Sequence, residues 1–493
     1  MAGNNYILLK KKIVVPAIIT ALFFIAGMIA EFHGISLLWS LPVILLLLVF
    51  TLLSVEKALV LILFMVPLSF QWSFISESVP FDISIPTEPL LALILFIVLF
   101  KLIVRGEFSS ELLKHPVTII IYAYLIWTLV TSLFSGMPGV SFKALSYRLW
   151  FITAFYLLAA QIFLRKQNYE TYISAYSLGL VVVVIFFFTR TTAEGFMSQK
   201  IAHSACYPFF KDHTSFGAAL SFCIPPLFVM AFNRKRGALS RLACFLIGAL
   251  FVAGLIFSYS RAAWVSLLVS TGFSLILLMK LPPKVLIGAS IAVVITLILS
   301  AGFIWQRMDS TREDSSTDLK THLQSSSNIS TDQSNLERIN RWKSAIRMYE
   351  EKPLMGWGPG TYQFYYAPYQ YSKDRTIIST DFGDAGNSHS EYLGPLSEQG
   401  LPGGLIFAGL MLAALVTGMI TWYKSKRNYS GYMSLAIVAG LITYAIHGIM
   451  NSFLDTDKIA SLFWGFIAMI TSMNILIKGE KQISGTKESQ PQG

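Results

Sequence analysis

Apolar runs close to twenty residues long, nearly free of charge, recur along this chain, and no other feature restricts its folding as strongly. A run of that length crosses a hydrocarbon core of about 30 Å as a helix. A helix also satisfies its own backbone polar groups where no water is present to do so. Composition agrees: 54% of the 493 residues are hydrophobic and 13% charged, about half the charge of a soluble domain. The expected fold is an all-α polytopic membrane protein with 12–14 transmembrane helices.

Fourteen segments qualify as spans: 13–31, 36–54, 57–71, 89–104, 116–134, 149–164, 172–189, 215–232, 242–258, 263–280, 285–305, 402–422, 430–450 and 458–477. The second and third lie close enough together to form one re-entrant hairpin instead. Lys10, Lys11 and Lys12 precede the first segment with no small-residue cleavage site, so it is expected to remain as a span. With the N-terminus inside, the cations of short loops fall three to one on the inner side. Short outer loops receive Lys143, Arg148, Arg190, Lys200, Lys211, Arg261 and Lys458. The net charge of +11 is thereby an orientation signal and not a nucleic-acid surface. Both termini are expected in the cytoplasm, and the protein in the inner membrane. Cys206, Cys223 and Cys244 show no metal spacing and read as structural.

This topology divides the chain into N-terminal spans (1–305), a long extracytoplasmic segment (306–401), C-terminal spans (402–477) and a cytoplasmic tail (478–493). The long segment opens with a polar linker, 308–331. A capping box, Ser334-Asn335-Leu336-Glu337, is then expected to start a helix running to about Glu351, ahead of Pro353. Ile339, Trp342, Ile346 and Tyr349 mark its packed stripe. Gly356-Trp357-Gly358-Pro359-Gly360, an aromatic run from Tyr362 to Tyr371 and Asn387-Ser388-His389-Ser390-Glu391-Tyr392 follow. The segment reads as a folded lid.

Several residues have the chemistry for a site on the outer face. Arg261, between two spans joined by almost no loop, is either a snorkelling anchor or a functional cation at membrane depth. Arg338 and Arg341 share a helix face. In isolation Arg341 would simply pair with Glu337, but several arginines on one membrane face suit a diphosphate, whose oxygens guanidinium binds bidentately. His389 has the residue type of a general base near neutral pH, and His213 is a second candidate beside Lys211, a plausible phosphate contact. Asp455-Thr456-Asp457 imitates a DxD metal motif but occupies a tight turn where Asp is expected anyway; neither metal nor cofactor is expected. The Gly356–Gly360 run lacks the Lys-Ser/Thr of a nucleotide-binding loop.

Three motifs in order resemble the bacterial O-antigen ligases and the related O-antigen polymerases. They are Ser260-Arg261-x-x-Trp264; Arg338-x-x-x-Trp342-x-x-Ala345 running into Pro353-x-x-Gly356-x-Gly358-x-Gly360; and His389-x-x-Tyr392-Leu393 followed by Glu398-x-Gly400. The resemblance covers 258–405. It implies a metal-independent, inverting glycosyltransferase with a GT-C-like helical fold, its active site facing the periplasm. The donor would be a glycan on undecaprenyl diphosphate and the acceptor a sugar hydroxyl of lipid A–core. It further implies that Arg261 and Arg338 are the paired arginines and His389 the lid histidine. From the residues themselves, Arg341, Lys211, His213, Tyr392 and Glu398 are expected to contact substrate, and Tyr362, Phe364, Tyr365, Tyr366 and Tyr369 to serve as sugar platforms or, for most of them, as packing inside the lid. Family members usually have about twelve spans.

Rival readings are a polymerase, a protein O-oligosaccharyltransferase with the same donor, and a lipid-linked glycan transporter. A transporter predicts charges buried mid-span and inverted repeats, whereas these spans are nearly charge-free and the candidate residues crowd one face.

Overall fold

A computed structural model describes residues 41–71, 83–194, 199–279, 284, 288, 329–376, 379–380, 386–425 and 428–488. The expected span 13–31, nearly all of 285–305 and most of the linker lie outside these residues. Among the described residues, ten helices are long and apolar enough to cross a membrane. They are α1 (Thr87–Phe100, continued by a π-helical turn to Arg105), α2 (Pro116–Leu133), α3 (Pro138–Lys166), α4 (Tyr169–Glu194), α5 (His213–Phe232), α6 (Ala238–Phe257) and α7 (Arg261–Leu278). After the lid helix α8 (Ile329–Glu351) come α9 (Leu393–Lys424), α10 (Tyr429–Met450) and α11 (Asp457–Glu488). A two-residue β-ladder pairs Phe70–Gln71 with Ser84–Ile85. The chain is an all-α polytopic membrane protein.

Contacts divide it into residues 1–58 and 59–493. Within the expected spans 36–54 and 57–71 the described helices are Leu41–Leu53 and Val55–Met65. The second, of 11 residues, is shorter than the roughly 20 a crossing needs. Pro67, which cannot continue a helix interior, stands just after the second.

Two boundaries moved in a way that matters for the site. α3 begins at Pro138, a residue preorganised for a first helical turn, well before the expected 149. Lys143 and Arg148 therefore ride on a helix and not in a loop. α9 begins at Leu393 and kinks at Gly400 (φ 68°, ψ −170°), just before Pro402, so the expected lid boundary at 401 falls at a kink.

Burial separates two kinds of helix. In its most apolar window α11 is 89% buried, whereas α7 is 22% buried; the exposed Val265, Leu268 and Val269 of α7 form a face suited to lipid. α5 packs on α6 and α10, α7 on α10, and α2 on α9. Gly217 lets α5 approach the start of α7: a Cβ there would lie 2.9 Å from Ser260 Cβ and 3.0 Å from Ala263 Cβ. All three cysteines are buried and free, two of them within α5 and α6.

Candidate functional site

Four segments converge at one end of the bundle. The first is the turn between α6 and α7. Tyr259 takes a left-handed conformation (φ 54°), a cost for a non-glycine residue. Ser258 Oγ accepts from Ser260 N at 3.3 Å, and Trp264 Nε1 donates to Leu255 O at 2.7 Å. With Ser260 fixed against Gly217, this turn holds Arg261 at the first position of α7 with its side chain exposed.

The second segment leads into α5. Asp212 caps that helix, its Oδ1 accepting from Thr214 N (2.9 Å), Ser215 N (2.8 Å) and Thr214 Oγ1 (2.6 Å). Burial opposes ionisation of its carboxyl, but the bonds from Thr214 and Ser215 outweigh it and hold the pKa below the usual range. Next to it Lys211 is exposed, and His213 stacks on His203 with ring centroids 3.9 Å apart.

The third segment is α8, and here two expectations fail. The helix starts at Ile329, upstream of the supposed capping box. Glu337 turns into the lid, where it accepts from Arg341 Nε (3.0 Å), Thr376 Oγ1 (2.9 Å) and Ser379 Oγ. The buried face is not the apolar stripe, whose four residues are half-buried. It is Glu337, Asn340, Arg341, Ser344, Ala345 and Met348, at the same three- and four-residue spacing. Polar groups tolerate burial when bonded: Asn340 Nδ2 donates to Gln370 Oε1 (2.7 Å), and Ser344 Oγ to Asn340 O (2.9 Å). Arg341, 4% exposed, also donates to Asn387 O (3.0 Å) and lies over the Tyr366 ring. Its Nε and Nη1, expected to face substrate, are thus engaged within the lid. Arg338, one turn back, is half-buried.

The fourth segment, 386–392, presents His389. Its φ of 53° is left-handed, and three bonds maintain the segment: Asn387 Oδ1 accepts from His389 N (3.0 Å), Trp342 Nε1 donates to His389 O (3.2 Å), and Asn387 Nδ2 donates to Ser452 O (2.8 Å). Such strain persists only where surroundings over-determine it. Burial, then Arg341 and Arg338, push the His389 imidazole down to a pKa of about 3; Lys211 acts the same way, and Asp212 opposes. Arg338 is itself lowered by burial and by Arg261, again against Asp212. Arg338 thus lies in the field of Arg261 and Asp212, and His389 in that of Arg338, Lys211 and Asp212.

Behind His389 the lid locks onto the α9 kink. Glu398 Oε2 accepts from Gly360 N (2.9 Å) and Oε1 from Tyr362 N (3.0 Å). Leu401 N donates to Pro353 O at 2.7 Å. At Gly356 (φ 66°) and Gly400 (φ 68°) a Cβ would overlap the facing backbone, at Glu398 and Leu354 respectively. The glycine motif is a docking surface for the Glu398-x-Gly400 turn. Glu398, expected to contact substrate, is buried in this lock, and Tyr392 donates its hydroxyl to Ala445 O (2.9 Å). Tyr362 and Tyr366 are buried and stacked, and Tyr365 packs on Trp357; Phe364 is exposed.

Two residues were not singled out from the sequence. Arg148, 7% exposed, points from α3 toward Asp455 (3.7 Å) and lies over the Tyr124 and Tyr147 rings; its Nη1 has no hydrogen-bond partner among the described residues. It lines a cavity of about 30 Å³ with Glu391, Glu398 and Asp455, next to Asn387 and Ser388. His447, buried on α10, stands in the field of Asp212 and Arg338. Asp455 and Asp457 do not act as a pair: Asp457 is buried, accepting from Ser69 Oγ (2.7 Å) and Thr87 Oγ1 (2.6 Å).

No curated protein matches the chain. Residues 244–408 match the O-antigen ligase family, a stretch that contains Arg261, Arg338, Arg341, His389, Tyr392 and Glu398, whereas Arg148, Lys211 and His213 precede it. Over residues 244–408, then, the chain carries a domain that matches the O-antigen ligase family.

Proposed function

We propose that the chain is an inner-membrane glycosyltransferase, GT-C-like in fold. In this reading it moves a glycan from undecaprenyl diphosphate to a sugar hydroxyl of lipid A–core at the periplasmic face, with inversion and without a metal. The observation that supports this is that α8, whose Trp342 and Arg341 hold the His389 segment, also carries Arg338, which lies in the field of Arg261. A diphosphate is a weak base, so as a leaving group it needs charge stabilisation more than a proton. Arg338 and Arg261 supply it, with Lys211 as a further phosphate contact. The acceptor oxygen attacks the anomeric carbon, the bond to the phosphate oxygen breaks with its electron pair, and the acceptor proton passes to His389.

The depressed pKa of His389 gives this scheme an order. Without donor the imidazole is neutral, so its lone pair is available, but it is a weak base. Donor phosphates beside Arg338 and Arg261 offset the cationic field and raise its basicity when a substrate is present. Arg341, Glu398 and Tyr392 act in this scheme as positioning residues for the His389 segment. His213, stacked on His203, is the reserve base.

The test is transfer by the purified chain in liposomes, from lipid-linked glycan to lipid A–core. Arg261→Ala and Arg338→Ala should each lose about 10²–10³-fold, the size of one preorganised oxyanion donor. Lysine should restore little, because a point charge does not replace a fork. Full activity of Arg261→Ala would remove it from the mechanism.

A further inference from the structure

At the end of the bundle away from the lid, a cavity of about 780 Å³ opens between the 109–116 turn, the last turn of α3 and the 475–479 stretch of α11. α2 relates the two ends. Pro116, its first residue, lines this cavity, and Ser135, just beyond its last, donates to Trp357 O in the lid at 3.3 Å. Its 18 residues span about 27 Å at 1.5 Å each, close to the thickness of a hydrocarbon core. The cavity therefore opens at the opposite membrane surface, independent of the transfer site.

Its wall is apolar, with Leu164, Ile475 and Leu476, and its rim is cationic, with Lys114, Arg165 and Lys478 against one carboxylate, Glu111, among the described residues. All three cations are exposed. The chain itself engages the other polar groups. Gln161 bonds Ser109 N (3.0 Å) and Glu107 O (3.2 Å), and Glu111 accepts from Ser109 Oγ (3.1 Å). His115 Nδ1 accepts from Val117 N at 3.3 Å, and its Nε2 faces Asn474 Oδ1. Arg165 spends one N–H on Glu107 O, which leaves the rest of its fork. A cationic rim over an apolar wall fits a phosphate attached to a hydrocarbon chain.

We propose that this cavity binds an anionic phospholipid, its phosphate among Lys114, Arg165 and Lys478 and an acyl chain along Leu164, Ile475 and Leu476. Basic residues at a membrane surface commonly serve orientation alone; the concavity and its apolar wall distinguish these.

The experiment is native mass spectrometry of the purified full chain with added phosphatidylglycerol or phosphatidylethanolamine. The wild type should retain the anionic lipid in preference. Retention should fall about fivefold for each cation removed in the series K114Q, R165Q, K478Q. Leu476→Trp, which fills the cavity at constant charge, should also release the lipid, so the result does not rest on the charge variants alone. Equal retention of the two lipids, or retention unchanged in the triple variant, overturns the proposal. Displacement of the lipid by millimolar inorganic phosphate would overturn it too, since the site would then read phosphate without the chain.

Discussion

Replacing His389 with alanine removes the group on which the transfer scheme turns. The imidazole pKa falls from 6.5 to about 3, and at 1.36 kcal/mol per unit this is about 5 kcal/mol against the imidazolium. Burial supplies the largest part, and Arg341 and Arg338 the next. An imidazole takes a proton only when neutral, so activity falls as pH drops through its pKa. For the free enzyme, kcat/KM should stay flat from pH 8 down to about pH 4. With donor bound, the phosphates offset the cations and the limb in kcat should appear at higher pH. His389→Ala should slow the chemical step by about 10²–10⁴-fold and abolish the limb. Donor affinity should be preserved, because Arg261 and Arg338 remain. Single-turnover transfer by the purified chain across this pH range, with donor binding measured separately, checks each point. A variant that keeps the limb in kcat and only binds acceptor more weakly would refute the reasoning and pass the role of base to His213.

Other outcomes follow from the same geometry. Arg148→Met removes the buried cation that faces Asp455 and acts on Glu398 and should cost about 3 kcal/mol of stability; adding Glu398→Gln should recover part of it in denaturant unfolding. His389→Gln should flatten the pH dependence of stability. Between pH 6.5 and about 3 the unfolded histidine binds a proton that the folded one does not, so the wild type loses stability as pH falls through that window. Chelation with EDTA should leave transfer intact; loss restored by Mg²⁺ or Mn²⁺ would return Asp455 and Asp457 to consideration.

Hydropathy alone located the ten long spans, because a lipid-crossing helix has to announce itself over its whole length. It missed Arg148 because the first turns of α3 are too polar to read as span, and because burial there comes from α2, α9 and the 452–455 turn. On α8 two stripes share one spacing, and hydropathy selects Ile339 and Trp342. The structure buries Asn340 and Arg341 instead, since their partners, Gln370 and Asn387, lie 30 and 46 residues further on. Arg338 and His389 were legible as chemistry, but their shared field was not. It depends on Asp212, whose role as a helix cap has a local signal and whose nearness to the lid has none.

The central claim is transfer of a finished glycan to lipid A–core, and surface lipopolysaccharide from a strain lacking this protein tests it most directly. The account predicts full-length glycan accumulating on undecaprenyl diphosphate beside uncapped lipid A–core, restored by the wild-type chain and not by His389→Ala. Lipid A–core capped with a single repeat would contradict it and identify a polymerase.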